Sequence, residues 1–292
     1  MTDDLIQISS DQLSVTISAL GAEMQSLRDA QGRDYLWDGD PAYWTGRAPV
    51  LFPIVGRAPE DQITVGDHSA PMGQHGFARR SRFDLLSADQ TSCTHVLTPN
   101  DTIRAVYPRD FRLALTHRLE GSTLTVTAEV SNPGTAPLPF GLGFHPAFRW
   151  PLPGAEDQPH HVTLDTAASP EMARLSGGLL PPERHPSPFD QGHLTLEQSL
   201  FDADAMIFPQ GAGTGLTYGP NTGPRLRFQF ENLPILALWS KPGAPFLCIE
   251  PWHGMAARTT DGPAIETRPG TILLPPGQQR SFAYRMTLEQ PA

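Results

Sequence analysis

Two short stretches of the chain combine residue types suited to proton transfer. Gly141-Leu142-Gly143-Phe144-His145-Pro146-Ala147-Phe148 carries one imidazole, and Phe246-Leu247-Cys248-Ile249-Glu250-Pro251-Trp252 carries one carboxylate. Each titratable group sits in an apolar run bounded by glycine or proline, a pattern that reads as buried strand. An imidazole and a carboxylate whose surroundings set their pKa values apart form an acid/base pair. Opening and closing a sugar hemiacetal needs such a pair. One group takes the hydroxyl proton while the other protonates the ring oxygen, and the two are expected to converge from opposite sides of a pyranose.

Each candidate has a plainer alternative. His145 alone could be a core histidine satisfied by the backbone, but the glycines before it admit close approach of another chain segment or a ligand. Glu250, at the end of Phe-Leu-Cys-Ile, is costly to bury unpaired. It therefore implies a structural ion pair or a functional site. His75 and Arg79, in Gly73-Gln74-His75-Gly76-Phe77-Ala78-Arg79, read as a loop presenting two donors, or as an ordinary turn with a surface arginine. Leu51 to Arg57 is an apolar run delivering one arginine, whose planar fork suits hydroxyl pairs or phosphate. Leu200 to Met206 offers Asp202 and Asp204. Read as a strand, neighbours at spacing two share a face, so periodicity leaves the choice between them open. Trp239 could stack on a sugar face or pack in the core.

Other chemistries lack their signatures. There is no GxGxxG after a strand, no Walker A loop and no GxSxG elbow. His75, His145 and Glu250 could in principle hold a metal. The close HxH spacing of cupin sites is missing, however, and neither a metal nor another cofactor is expected.

The elements that must position these groups are strands. Leu13, Val15, Ile17 and Ala19 alternate with polar neighbours, as do Leu124, Val126, Ala128 and Val130. Leu226, Phe228 and Phe230 repeat the pattern, and so do Phe282, Tyr284, Met286 and Leu288. Period-two alternation marks half-buried antiparallel strands. Ile235–Trp239 and Phe246–Ile249 are nearly continuous apolar runs, as expected of strands covered on both faces. Glu120-Gly121-Ser122 reads as a hairpin, and a short helical turn is expected from Asn100 or Asp101 to before Pro108. Residues 151–195, rich in Pro, Gly and His, read as a long connection with little regular structure. The 31 prolines and 26 glycines punctuate the whole length. The class implied is all-β, a sandwich or barrel in one domain over residues 1–292.

The 292 residues carry a net charge of -10, which argues against a nucleic-acid backbone or an anionic membrane as partner. Cys93 and Cys248 form no CxxC unit and read as reduced core residues. No signal peptide or membrane span is visible, so a cytoplasmic location is expected.

Taken together, these segments resemble the aldose 1-epimerase (galactose mutarotase-like) family, nearest its bacterial LacX-like branch. The resemblance rests on an ordered set. It runs from Pro49–Arg57 and Gln74–Arg79 through Gly141–Phe148 and Leu200–Phe208 to Leu238–Ser240 and Cys248–Gly254. It implies one large antiparallel β-sandwich, the supersandwich, and interconversion of α and β anomers of an aldose without a cofactor. It further implies His145 as general acid and Glu250 as general base, with Glu250 ionised and His145 protonated near neutrality. Substrate contacts fall on Arg57, His75, Arg79 and Asp204, which decides between the two aspartates. The chain departs from galactose mutarotase proper: Ala58-Pro59 follows Arg57, and Gly76-Phe77-Ala78-Arg79 follows His75. The cluster Arg79, Arg80 and Arg82 is similar to the hexose-6-phosphate 1-epimerases. A non-catalytic sugar-binding protein on the same scaffold is the third alternative.

Overall fold

The computed structural model describes residues 5–290. Its frame is two antiparallel sheets packed face to face. The larger has nine strands. In spatial order they are His193–Thr195, His161–Leu164, Gly215–Gly219, Arg225–Glu231, Gln279–Glu289, Thr123–Ser131, Arg112–Glu120, Ser92–Leu97 and Asp84–Ala88. The smaller sheet has the long strand Phe246–His253 at its centre, with Ile235–Trp239 and then Met206–Phe208 on one side. On the other side lie Leu142–Phe144, with Val50–Leu51 beyond it, and Ala147–Arg149. Leu5–Ser9, Leu13–Ser18 and Met24–Asp29 form a separate three-stranded sheet.

The alternation read from the sequence is what builds the main core. In Arg225–Glu231 every second residue is buried, and Leu226, Phe228 and Phe230 point inward. Thr123–Ser131 alternates in the same way. Rings from the two sheets interlock across the layer. Phe148 meets Phe228 at 5.2 Å between centroids, and Phe144 meets Tyr284 at 5.0 Å. Edge-to-face contacts of this kind add to the area they bury.

The smaller sheet is covered on its second face too, as its continuous apolar strands predict. Leu247 and Ile249 belong to the main core, while Phe246, Cys248 and Trp252 pack on the opposite side. Glu250 shares that opposite face by the period of two. Its cover comes from Trp37, Tyr43 and Trp44 at one end and from Ala173, Leu175, Leu180 and Ala256 at the other.

The hairpin at Gly121 and the helix Asp101–Val106 form where expected. Asn100 caps the helix, its Oδ1 accepting from the Ile103 N–H at 2.9 Å. Both cysteines are buried and unbridged. Residues 151–195 depart from the expectation, because they contribute the strands His161–Leu164 and His193–Thr195 to one edge of the large sheet. Both are short, and their polar side is exposed, so the apolar alternation that betrays longer strands is too brief to read. Leu200–Met206 is likewise no strand. A 3-10 turn over Gln198–Phe201 leads through a further turn to Met206. Among the described residues no helix is long and apolar enough to cross a membrane.

Phe228→Ala removes a ring only 1% exposed from the middle of the sandwich. Chemical denaturation should show a loss of about 3–5 kcal/mol. A loss below about 1 kcal/mol would contradict this packing.

Candidate active site

The long strand Phe246–His253 fixes both principal groups. Leu142 and Gly143 pair with His253 and Trp252, and Ala147 pairs with Cys248. Carried through the break between these two short strands, the register sets His145 directly opposite Glu250. The break frees the His145 side chain without losing its anchorage. Its N–H donates to Pro49 O at 3.1 Å, and Ile249 N–H donates to Pro146 O at 3.1 Å. His145 Nε2 and Glu250 Oε2 come within 3.1 Å. Gly143 serves this arrangement by staying small, since a Cβ there would lie 2.5 Å from the Trp252 ring.

Both groups face a cavity of about 300 Å³. Its other walls include Gln74, His75, Arg79, Asp204, Trp44, Trp239 and Trp252. A volume of this size lies at the lower end for small-molecule sites. The imidazole of His145 is held among rings. Trp44 lies 4.9 Å away and tilted by 32°, Trp239 at 5.7 Å and His75 at 5.6 Å, both edge-on.

Burial governs the protonation of this pair. Glu250 is 1% exposed, and loss of solvent raises its pKa well above 4.5, with the Asp204 charge adding to the effect. His145 is pushed the other way, down to about 3, first by burial and then by Arg79. Burial thus disfavours the charged form of each group, and it works against the ionised glutamate and charged histidine that the resemblance implied. Contact at 3.1 Å also leaves no room for a sugar ring between the groups. They approach from one side, as suits two oxygens bonded to the same carbon.

His75 is held in one tautomer. Its Nδ1 accepts the Gly56 N–H at 3.1 Å, which leaves the proton on Nε2, 3.2 Å from the Gln74 side-chain amide, whose oxygen must then face it to accept. Burial and the neighbouring His145 and Arg79 keep its pKa well below 6.5, so His75 stays a neutral donor. Arg79 lines the cavity with its Nε buried and unpartnered. Asp204 lines the mouth from a turn in which its own φ is +66°, while Asp202, equally exposed, is not part of the cavity wall. Turn geometry therefore separates the two aspartates, and strand alternation does not. Arg174 donates to the Asp204 carbonyl and, at 2.8 Å, to Leu200 O, bracing that turn.

Arg57 is a correction, because it does not line the cavity. Its guanidinium forms a two-pronged pair with Asp61, both contacts at 2.7 Å. The contribution of that run is instead Gly56, which lines the cavity and orients His75. Gly56 has φ +71°, and a Cβ there would lie 2.6 Å from the Ala256 Cβ. Arg80 is exposed, and Arg82 borders a separate hollow with Leu5 and Phe83. Only Arg79 of that cluster reaches the site.

Three contributors escaped the sequence reading. Trp44 stands in Ala42-Tyr43-Trp44-Thr45, with no neighbouring titratable motif to draw attention. Trp252 was legible only as part of the glutamate motif. Arg268 is 5% exposed and donates to Val55 O, Arg57 O and Met255 O at 2.8, 3.1 and 3.2 Å. It clamps the turn that carries Gly56 without touching the cavity.

Comparison with known proteins agrees with this fold. The family model for aldose 1-epimerase matches residues 4–287. The chain belongs to the aldose 1-epimerase family. Two LacX proteins of Lactococcus lactis, one from a plasmid and one chromosomal, are each 30% identical to it over 97% of this chain and 99% of their own. A galactose mutarotase related enzyme from Lactobacillus acidophilus superposes with a TM-score of 0.92 at 28% identity, covering 98% of this chain and 97% of that one. A galactose mutarotase-like protein from Lactobacillus casei gives 0.88 at 28% identity, covering 98% and 100%. The sandwich is thus the galactose mutarotase-like fold, and the family supports a role as a sugar epimerase or mutarotase-like protein.

Burying Glu250 has a cost that depends on pH. Its folded pKa is raised, so stability is highest at low pH and falls as pH rises from 4.5 toward the folded value. Glu250→Gln removes that penalty. It should melt above wild type at neutral and alkaline pH, with the difference closing at pH 4.5 and below. A variant that melts at or below wild type at alkaline pH would contradict the assigned burial.

Proposed function

We propose that this protein is an aldose 1-epimerase acting on an unphosphorylated aldose, with His145 and Glu250 as its acid/base pair. The observation that carries the reading is their 3.1 Å contact at the wall of the sugar-sized cavity. The hydroxyl oxygen on C1 and the ring oxygen are both bonded to C1. Two adjacent proton carriers can therefore reach both at once.

In this mechanism the bound hydroxyls donate to Glu250 and replace the solvation that burial removed. The single proton then passes across the contact to His145, where the Trp44 face favours the cation. Glu250 takes the C1 hydroxyl proton as His145 protonates the ring oxygen, and the ring opens to the aldehyde. Rotation about C1–C2 presents the other carbonyl face, and the reverse transfers close the opposite anomer. His75 donates from Nε2, Arg79 donates to a hydroxyl, and Asp204 accepts at the cavity mouth. Trp239 offers an apolar wall for the pyranose.

The charge balance favours a neutral sugar. Arg79 is the one arginine among the lining residues, and Asp204 and Glu250 share the same walls. A phosphate dianion would meet one cation and two acids. Of the arginines around it, Arg57 is already committed to Asp61, and Arg174 and Arg268 to backbone carbonyls.

Glu250→Gln and His145→Asn should each reduce the acceleration of α/β interconversion by about 10²–10⁴-fold, followed by polarimetry or NMR. Near-normal rates in both would end the proposal. Sugar binding by calorimetry without acceleration for any aldose would favour a binding protein. Clear preference for hexose 6-phosphates, lost in Arg79→Ala, would favour the phosphosugar epimerase.

The pH profile follows from the one-proton pair. The wild type needs that proton, and a second binds only as pH falls toward about 3. Catalysed kcat/KM, corrected for the spontaneous rate, should therefore show no acid limb until pH approaches about 3 and should fall as pH rises through the raised Glu250 pKa. An acid limb centred near the ordinary histidine value of 6.5 would contradict the assignment.

A further inference from the structure

Behind the acid/base pair lies a group the proposed reaction does not use. Cys248 is two residues before Glu250 on the same strand and shares its face. Its register partner Ala147 follows two residues after His145. One ligand atom from each of His145, Cys248 and Glu250 falls within 4.8 Å of the others. His145 Nδ1 is buried without a hydrogen-bond partner, and Glu250 Oε2 has only the 3.1 Å contact with His145 Nε2. Cys248 is fully buried against Trp37, Ala147, Ala244 and Phe246 and lies outside the cavity lining.

We propose that His145, Cys248 and Glu250 form an inhibitory site for a zinc-like divalent cation, which enters through the sugar cavity and disables the acid/base pair. The inhibitory consequence rests on the function proposed above; the binding itself does not. One imidazole, one thiolate and one carboxylate make a donor set that suits zinc and disfavours magnesium or calcium, which take oxygen ligands. Ligand lengths of about 2.0–2.3 Å put the donors of a tetrahedral ion closer together than they stand here, so side-chain shifts on the order of 1 Å complete the site. The charge also balances. The ion brings two positive charges and displaces two protons, one from the thiol and one from the His145–Glu250 pair, so the buried charge is unchanged. The fourth position faces the cavity and takes water. The ion and the sugar then compete, because both need the same carboxylate and imidazole.

This arrangement differs from a cofactor site. The metal occupies both groups that move protons, and catalysis proceeds only once it leaves. Cys248 is the discriminating ligand, since the reaction has no use for it.

The test uses the full chain and zinc chloride in a non-chelating buffer. Zinc should inhibit anomerisation competitively with aldose, EDTA should restore it, and magnesium should have no effect. Cys248→Ala should keep its basal activity while needing at least about tenfold more zinc for half-inhibition. Cadmium should give a sulfur-to-metal charge-transfer band in wild type and in Cys93→Ala, and none in Cys248→Ala. Absence of zinc binding, unchanged zinc sensitivity in Cys248→Ala, or a band that follows Cys93 would each overturn the site. If Cys248→Ala does not fold, the band in Cys93→Ala decides alone. The band is read without sugar, so a protein that binds cadmium through Cys248 but anomerises nothing would overturn the proposed function and leave the metal site standing.

Discussion

One constraint organises this molecule: a carboxyl group and an imidazole are held in contact, out of water. Burial pushes the Glu250 pKa up and the His145 pKa down, so the neutral form of each group is favoured. Either location of the proton leaves the pair with no net charge. That is why the sandwich can tolerate it in a position where a lone ionised carboxylate would be expensive.

Much of the surrounding structure keeps this pair in register. The long central strand supplies Glu250, while two short strands separated at Pro146 hold His145 across from it. Leu247 and Ile249 anchor the strand in the main core, so rigidity on one face fixes geometry on the other. Around the pair, support is built from the backbone. Gly56 fixes the His75 tautomer, and Arg268 holds three carbonyls of the segments around that turn. A buried arginine satisfied by carbonyls stiffens the loop without placing a counter-charge beside the cavity.

The site residues divide by how their positions arise. His75 and Arg79 share one short loop, and both reach the cavity, so local spacing was a sound guide. Arg57 looked equivalent in the sequence, yet Asp61 four residues later captures it. Nothing in an apolar run ending in arginine tells whether the guanidinium turns toward a ligand or toward the next acid. Asp204 reaches the cavity mouth because a turn holds it at positive φ, a choice that alternation cannot make. The zinc-like donor set is hidden for the same reason, since a cysteine two residues before a glutamate is unremarkable until a histidine lies opposite.

The sequence by itself determined most of the strands, the class of fold and which two titratable residues would stand out, His145 and Glu250. Alternation with a period of two and the burial of apolar side chains are local and repeat along the chain, so they survive without coordinates. Only the tertiary structure decided that His145 faces Glu250, that Trp44 closes over the imidazole and that Arg57 turns away. Each of these depends on pairing between segments distant along the chain. It also decided the direction in which each pKa moves, because desolvation is a property of everything packed around a group and of nothing in its own motif.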